Sequence, residues 1–476
     1  MQNAGVFVNK LKNFFDTHWY WSVSAIILIY FIIALKIVFT TGPVGQDFGT
    51  VHLPNTQYVM KGHFIIEQST ETPLTYLLAS LFLRAWGQEQ GVRAFGVFCV
   101  LVNGFGLFIL AITASKFISR SVCLLYLAFI ATIPLFVITS IVFCPDALTF
   151  LPFYLYCWTA LSIERETRIK KLFLLSTALS AIQITGILIK YTFAALCVPA
   201  AILIISIGVR KKLKMRIIVA LLLIASIIPA VTVVSYRTYA RARPFAFDVN
   251  NLRSTIHFFI PKKADIKLFK APVYFKPITN QKGEQLTVDE YGKPDKAGEP
   301  GYQLLVKWRY SYFALLNLST FTDILNITRK RFRDVNIYNS IVDSDVNRVD
   351  NTCSRLSCIN GSMIFLLTWV AGLCLVIVQM FKKPFRNPQD PSLFKNVCIP
   401  ACGYFFMIVG LMALMTNDKM LYHGYWLPRL VAPAIFSFFL LYFWLLEKFG
   451  HNMIIRIFMV ILIMYQICVQ LALNIW

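Results

Sequence analysis

Four charged residues stand where long apolar runs end: Asp47, Asp146, Lys190 and Arg429. A carboxylate in such a place can take the proton from an attacking hydroxyl. A lysine holds a phosphate as a point charge, and an arginine grips one bidentately. A carboxylate at the mouth of a helix bundle, with cations suited to phosphate, fits chemistry on a lipid-linked substrate. An ionisable group at the edge of an apolar run is costly unless it meets a cavity, water or a partner.

Each position also has a plainer reading. Asp47 follows the apolar run Trp19–Thr40 and precedes a half-polar segment carrying Tyr58, Met60, Phe64 and Ile65, which would roof it or form an ordinary solvated loop. Asp146 lies in Phe143-Cys144-Pro145-Asp146-Ala147-Leu148. Pro145 suits a first helical turn, and an acid there favours the helix dipole whatever else it does. Lys190, in Gly186-Ile187-Leu188-Ile189-Lys190-Tyr191-Thr192, has no charge near it in sequence. It needs an anion or water, or it snorkels to the interface. Arg429 belongs to Tyr422-His423-Gly424-Tyr425-Trp426-Leu427-Pro428-Arg429-Leu430. His52 and His423 stand alone, and lone histidines are more often structural than metal ligands. Asp343-Ser344-Asp345 has the spacing of a metal motif but sits in a very polar stretch, so no metal site is assigned, with a divalent ion left open.

The elements that must position these residues are membrane spans. The chain has 476 residues, 57% hydrophobic and 14% charged, a balance that excludes an ordinary soluble domain. Its formal charge of +23 gathers in short clusters between apolar runs, and no nucleic-acid module is present. Most of the 11 cysteines lie inside apolar runs, where they act as small hydrophobes.

The hydropathy pattern predicts an all-α polytopic membrane protein of about eleven spans. Residues 1–18 read as an amphipathic interfacial segment and 19–236 as an N-terminal transmembrane module whose first outer loop is 41–91. Within that module the spans fall at 19–40, 92–115, 121–143, 147–163, 171–189, 192–209 and 216–236, and 73–86 reads as a short re-entrant or interfacial helix. An outer loop domain of mixed α/β content, with a small hairpin, fills 237–361, and C-terminal spans occupy 362–476 at 362–381, 396–416, 429–446 and 453–474. Cys353 and Cys358 are open to either a disulfide or free thiols, and sequons stand at Asn317, Asn326 and Asn360, with the cysteine form Asn-Thr-Cys at Asn351.

Lysine and arginine crowd one set of short loops, among them Lys116, Arg165, Arg168, Lys170, Lys171 and the run from Arg210 to Arg216. The alternate loops hold few, chiefly Lys61, Arg84, Arg93, Lys190 and Arg429. The crowded side reads as cytoplasmic. The N-terminus is then cytoplasmic, and Asp47, Asp146, Lys190, Arg429 and the long loop all share the outer side.

In these residues the chain resembles the GT-C membrane glycosyltransferases that use polyprenyl-phosphate sugars, the group of lipid A aminoarabinose transferases and protein O-mannosyltransferase-like enzymes. The likeness covers roughly 19–191, with an echo at 425–433. It rests on the acid after the first span (Asp47), the loop from Gly62 to Pro73, the Pro-Asp-Ala-Leu segment at Asp146 and the segment ending in Lys190-Tyr191. Many relatives carry Asp-Glu at the first acid, whereas Asp47 is followed by Phe48, so Glu67, Glu71 and His52 enter as accessory or acceptor-side residues.

The resemblance implies a GT-C-like bundle and a sugar transfer, inverting, at the outer membrane face, in a bacterial inner membrane with the site toward the periplasm or exterior. Asp47 and Asp146 would be catalytic; Lys190, Tyr191 and Arg429 would bind the donor phosphate. The partners implied are a polyprenyl-phosphate sugar, a lipid, glycan or protein acceptor and membrane lipids, with no nucleic acid and no cofactor. The rival readings are a transporter or flippase of lipid-linked sugars, which predicts internal repeats or paired broken helices, and a non-catalytic membrane assembly protein.

Overall fold

The structure, a computed structural model, describes residues 17–40, 48–63, 72–232 and 453–475, with short pieces between 360 and 368 and between 439 and 447. Every regular element among the described residues is helical. Among the described residues four helices are long and apolar enough to cross a membrane, or five if a bent pair counts as one span, so the chain is an integral membrane protein.

Helix α1 (Trp19–Thr40) shows how a span is sorted without water on either face. Tyr30, Ile33, Ala34, Ile37 and Val38 recur at helical spacing and are buried, while Trp21, Leu28, Ile32 and Phe39 on the other side are exposed. Both faces are apolar, so the sorting reflects packing against neighbouring helices rather than polarity.

A π-helical turn (Phe48–His52) leads into the short α2 (Leu53–Met60). The long α3 (Pro73–Ala114) is broken at Gly87, whose φ of 74° lies in the left-handed region that only glycine enters freely. The chain folds back there. A Cβ on Gly91 would lie 2.7 Å from the Cα of Leu83, and the rings of Phe82 and Phe98 stand 5.3 Å apart. Residues 73–86 are therefore a short helix laid against the span that follows, as their length predicts.

The run expected as one span over 121–143 is two helices, α4 (Arg120–Thr132) and α5 (Pro134–Ile141), bent by 58°. Pro134 has no N–H to give and its ring holds Ile133 out of the helical region (φ −60°, ψ 123°), which ends α4. Hydropathy does not register such a break, because both halves are apolar. A 3₁₀ turn (Pro145–Leu148) then starts α6 (Phe150–Arg165). Helix α7 (Ile169–Ile189) returns, a second 3₁₀ turn (Tyr191–Leu196) follows, and α8 (Cys197–Arg210) turns into α9 (Met215–Leu222), which runs on through a π-helical stretch (Leu223–Ile227).

The C-terminal α10 (Met453–Ile475) packs on this module through polar contacts inside an apolar setting. Thr132 of α4 donates to Gln470 Oε1 at 2.9 Å. Gln183 of α7 likewise donates to the Ala225 carbonyl at 2.7 Å. Such bonds hold helices together where the surrounding lipid supplies no hydrophobic drive. Asn360 is spent the same way: its amide donates to the Leu462 carbonyl and Gln466 Oε1, each at 2.8 Å. Buried so, this sequon asparagine is no glycan acceptor.

The basic loops gather at one end. Arg210 pairs with Glu164 at 3.1 Å, Lys211 caps the carbonyls of Glu164 and Glu166, and Lys116 lies 5.5 Å over the Trp158 ring. Glu447 accepts from the Ser119 N–H at the start of α4. The 21 residues of α7 separate this end from Lys190 by about 30 Å. The expected hairpin and mixed domain at 237–361, Cys353 and Cys358, and the spans at 396–416 and 362–381 lie outside the described residues or mostly so.

Candidate active site

At the other end of the bundle, two irregular turns face each other. The first carries Asp146. Cys144 is extended (φ −157°, ψ 164°), and the 3₁₀ turn after it is closed by Thr149, whose N–H and hydroxyl both donate to the Asp146 carbonyl at 3.1 and 2.7 Å. The turn is also held from outside. Asn103 of α3, wholly buried, directs its amide at three carbonyls: Cys99 at 2.9 Å, Ser140 at 3.2 Å and Ala147 at 2.7 Å. It so fastens α3, the end of α5 and the Asp146 turn at one point. Ser140 is in turn met by the Tyr30 hydroxyl of α1 at 2.8 Å.

The second turn carries Lys190. Helix α7 stops there because Lys190 is extended (φ −157°, ψ 131°), though its N–H still reaches the Gly186 carbonyl at 2.7 Å. Phe193, in the turn that follows, folds its ring onto Gly186, where a Cβ would stand 2.1 Å from the ring. Only a residue without a side chain admits that approach.

These two turns bring Asp146 and Lys190 together. The Lys190 ammonium donates to Asp146 Oδ1, with 13% and 6% of the two side chains exposed. Asp146 Oδ2 has the Cys144 thiol at 3.8 Å. The sequence left Lys190 with no counter-charge near it; the structure supplies one from 44 residues away. Asp146 is correspondingly more than a helix-start acid, because its carboxylate is committed to an ammonium. Breaking so enclosed a pair by removing one partner costs about 3–5 kcal/mol.

Around the pair lies an apolar collar in which Phe48 packs with Phe143, Ala147, Leu148 and Ile189. Phe48 and Phe143 meet edge to face at 5.4 Å, and Phe143 meets Phe95 of α3 at 5.0 Å. Phe48 is the residue after Asp47. Asp47 itself, Glu67, Glu71 and Arg429 lie outside the described residues, as does the side chain of Tyr191. His52 is buried, with Nδ1 at 2.9 Å from the Tyr76 hydroxyl of α3. Arg84 donates to the Met60 carbonyl and ties α3 to α2.

Sequence reasoning passed over Asn103. The signal was there, since an amide inside an apolar span needs partners, but nothing in the sequence says that those partners are carbonyls of another turn. Among the described residues no three His, Cys, Asp or Glu side chains converge on a metal position.

No family model matches the chain, and no curated protein matches it. Two solved structures of ArnT from Cupriavidus metallidurans are similar over most of its length. One, bound to undecaprenyl phosphate, is 12% identical and covers 91% of this chain and 79% of its own, with a TM-score of 0.35. The other, in the apo state, is 12% identical and covers 92% and 78%, again with a TM-score of 0.35. A likeness of that size carries no argument about this chain's chemistry.

Proposed function

We propose that the chain is a membrane glycosyltransferase of GT-C type, moving a sugar from a polyprenyl-phosphate donor to a hydroxyl acceptor. The observation that carries this reading is the enclosed Asp146–Lys190 pair, held on two irregular turns at the end of the bundle opposite the basic loops. An ammonium has three N–H donors. The bond to Asp146 uses one and fixes the direction of the others, so Asp146 acts by aiming Lys190 at the donor phosphate. Arg429 and Tyr191 complete the phosphate seat, and Asp47 is the base; these assignments rest on the sequence resemblance.

In the reaction Asp47 takes the proton of the acceptor hydroxyl as its oxygen attacks the anomeric carbon. The bond from that carbon to the phosphate oxygen breaks, and polyprenyl phosphate leaves with the electron pair. Charge grows on the leaving phosphate, where a fixed ammonium is most effective. Attack opposite the leaving group inverts the anomeric carbon. The positive-inside asymmetry sets this end on the outer face, which in a bacterial inner membrane is the periplasmic one.

The test is a transfer assay on the purified chain with polyprenyl-phosphate-linked sugars, comparing wild type with Asp47→Asn. Sugar transfer that falls by about 10²–10⁴-fold in the variant supports the reading. Equal rates, or no transfer by the wild type to any lipid, glycan or protein acceptor, overturn it.

One observation favours a transporter instead: the break at Pro134, eleven residues before Pro145, puts a bent span beside a buried charge pair. A transporter would move the labelled lipid-linked sugar across proteoliposomes and leave its glycosyl–phosphate bond whole.

A further inference from the structure

The end of the bundle remote from Lys190 carries more positive charge than its own acids can meet. Across 164–171 and 210–216 there are nine lysines and arginines and only two acids, Glu164 and Glu166. The two stretches are adjacent in space, because Lys211 caps the carbonyls of Glu164 and Glu166 while Arg210 pairs with the Glu164 carboxylate. Both acids are thus engaged: Glu166 also accepts from the N–H groups of Thr167 and Arg168 at 3.0 and 2.9 Å.

What remains is exposed and cationic. Lys170, Lys171, Lys212 and Lys214 all stand open, with Lys171 no nearer than 3.9 Å to Glu166. Exposed alkyl side chains flank them on the helices just beyond, namely Leu174 on α7, Val209 on α8 and Met215 on α9. The crowding has an electrostatic mark. Lys116 and Lys211 are both lowered from the usual lysine value, first by burial and next by the guanidinium of Arg165 and of Arg210 respectively. A nearby anion would relieve both.

We propose that this surface, formed by the α6–α7 and α8–α9 turns, binds the headgroup of an anionic phospholipid of the bilayer, its phosphate among the lysines and its chains along the exposed alkyl side chains. Cationic side chains above lipid-facing alkyl groups match such a molecule, and a free anion would use only the first half. Juxtamembrane lysines gain affinity for anionic lipid additively, each by about fivefold. The inference is independent of the transferase reading.

The experiment titrates the purified full chain, in nonionic detergent, with phosphatidylglycerol, phosphatidylcholine, glycerol phosphate and inorganic phosphate, and reads bound lipid by native mass spectrometry. Phosphatidylglycerol should bind at least about tenfold more tightly than phosphatidylcholine, and that preference should vanish in Lys170→Gln/Lys171→Gln/Lys212→Gln/Lys214→Gln. Lys61→Gln, between α2 and the arm of α3, should retain it. Preference that survives the fourfold change overturns the proposal, and so does displacement of the lipid by inorganic phosphate at equal concentration. Should the fourfold variant fail to fold, wild type decides the matter: preference must disappear in molar salt, where exposed charges are screened, and its persistence contradicts a headgroup seat on open lysines.

Discussion

Lys190 and Asp146, 44 residues apart, meet as an ion pair almost closed off from solvent, each at the point where its helix gives way to an irregular turn. Neither turn is held by the pair alone. Asn103 fastens one and the Phe193 ring, folded on Gly186, fastens the other. The charges are therefore positioned by the apolar frame rather than positioning it.

The pair should behave as a unit in stability. Asp146→Asn leaves an ammonium buried without its anion, and Lys190→Met leaves the carboxylate so; each should destabilise by about 3–5 kcal/mol. The double variant should recover most of that loss. Thermal unfolding of the four proteins in one detergent measures it, and strictly additive losses would show that the two groups do not interact.

How much of this was legible beforehand varies with the kind of contact. The apolar runs announced α1, α7 and α10 within a few residues, because length and hydropathy are local properties. The short helix over 73–86 was legible as well, since an apolar stretch too short to cross must turn back or lie at the interface, whereas the break at Gly87 was not singled out. The bend at Pro134 was not legible, although the proline was in plain view, because the run stays apolar on both sides of it. Least legible was the partner of Lys190. A lone lysine says that it needs an anion, and only the fold says which. The involvement of Asn103 was hidden in the same way, its acceptors being carbonyls that every residue carries.

Gly186 offers a separate handle on the Lys190 turn. A methyl group there would overlap the Phe193 ring, and the displaced ring should carry the turn Tyr191–Leu196 with it. Gly186→Ala should therefore lower stability by about 1–3 kcal/mol, the usual cost of overpacking. Combining it with Phe193→Leu should return part of that loss, whereas an unchanged deficit would place the damage elsewhere.

Lys116 gives a pH signature at the far end of the bundle. Its folded pKa lies below the usual 10.5, through burial first and Arg165 second. The unfolded chain then binds more protons between the folded value and 10.5, so stability contributed by this group rises with pH through that window. Lys116→Met should flatten the alkaline part of the stability curve and leave the neutral part higher or unchanged. A curve unaltered at high pH would contradict the assignment.

The most direct measurement of the central claim is the release of polyprenyl phosphate from a polyprenyl-phosphate sugar by wild type and by the folded Asp146→Asn/Lys190→Met double variant. Removing both charges takes the stability penalty out of the comparison, so a change in rate reports on chemistry. The wild type should release polyprenyl phosphate, and the rate should fall about 10²–10³-fold in a double variant that melts close to the wild-type temperature. A double variant that is equally stable and equally fast would contradict it, and the ion pair would then be a strut of the bundle and nothing more.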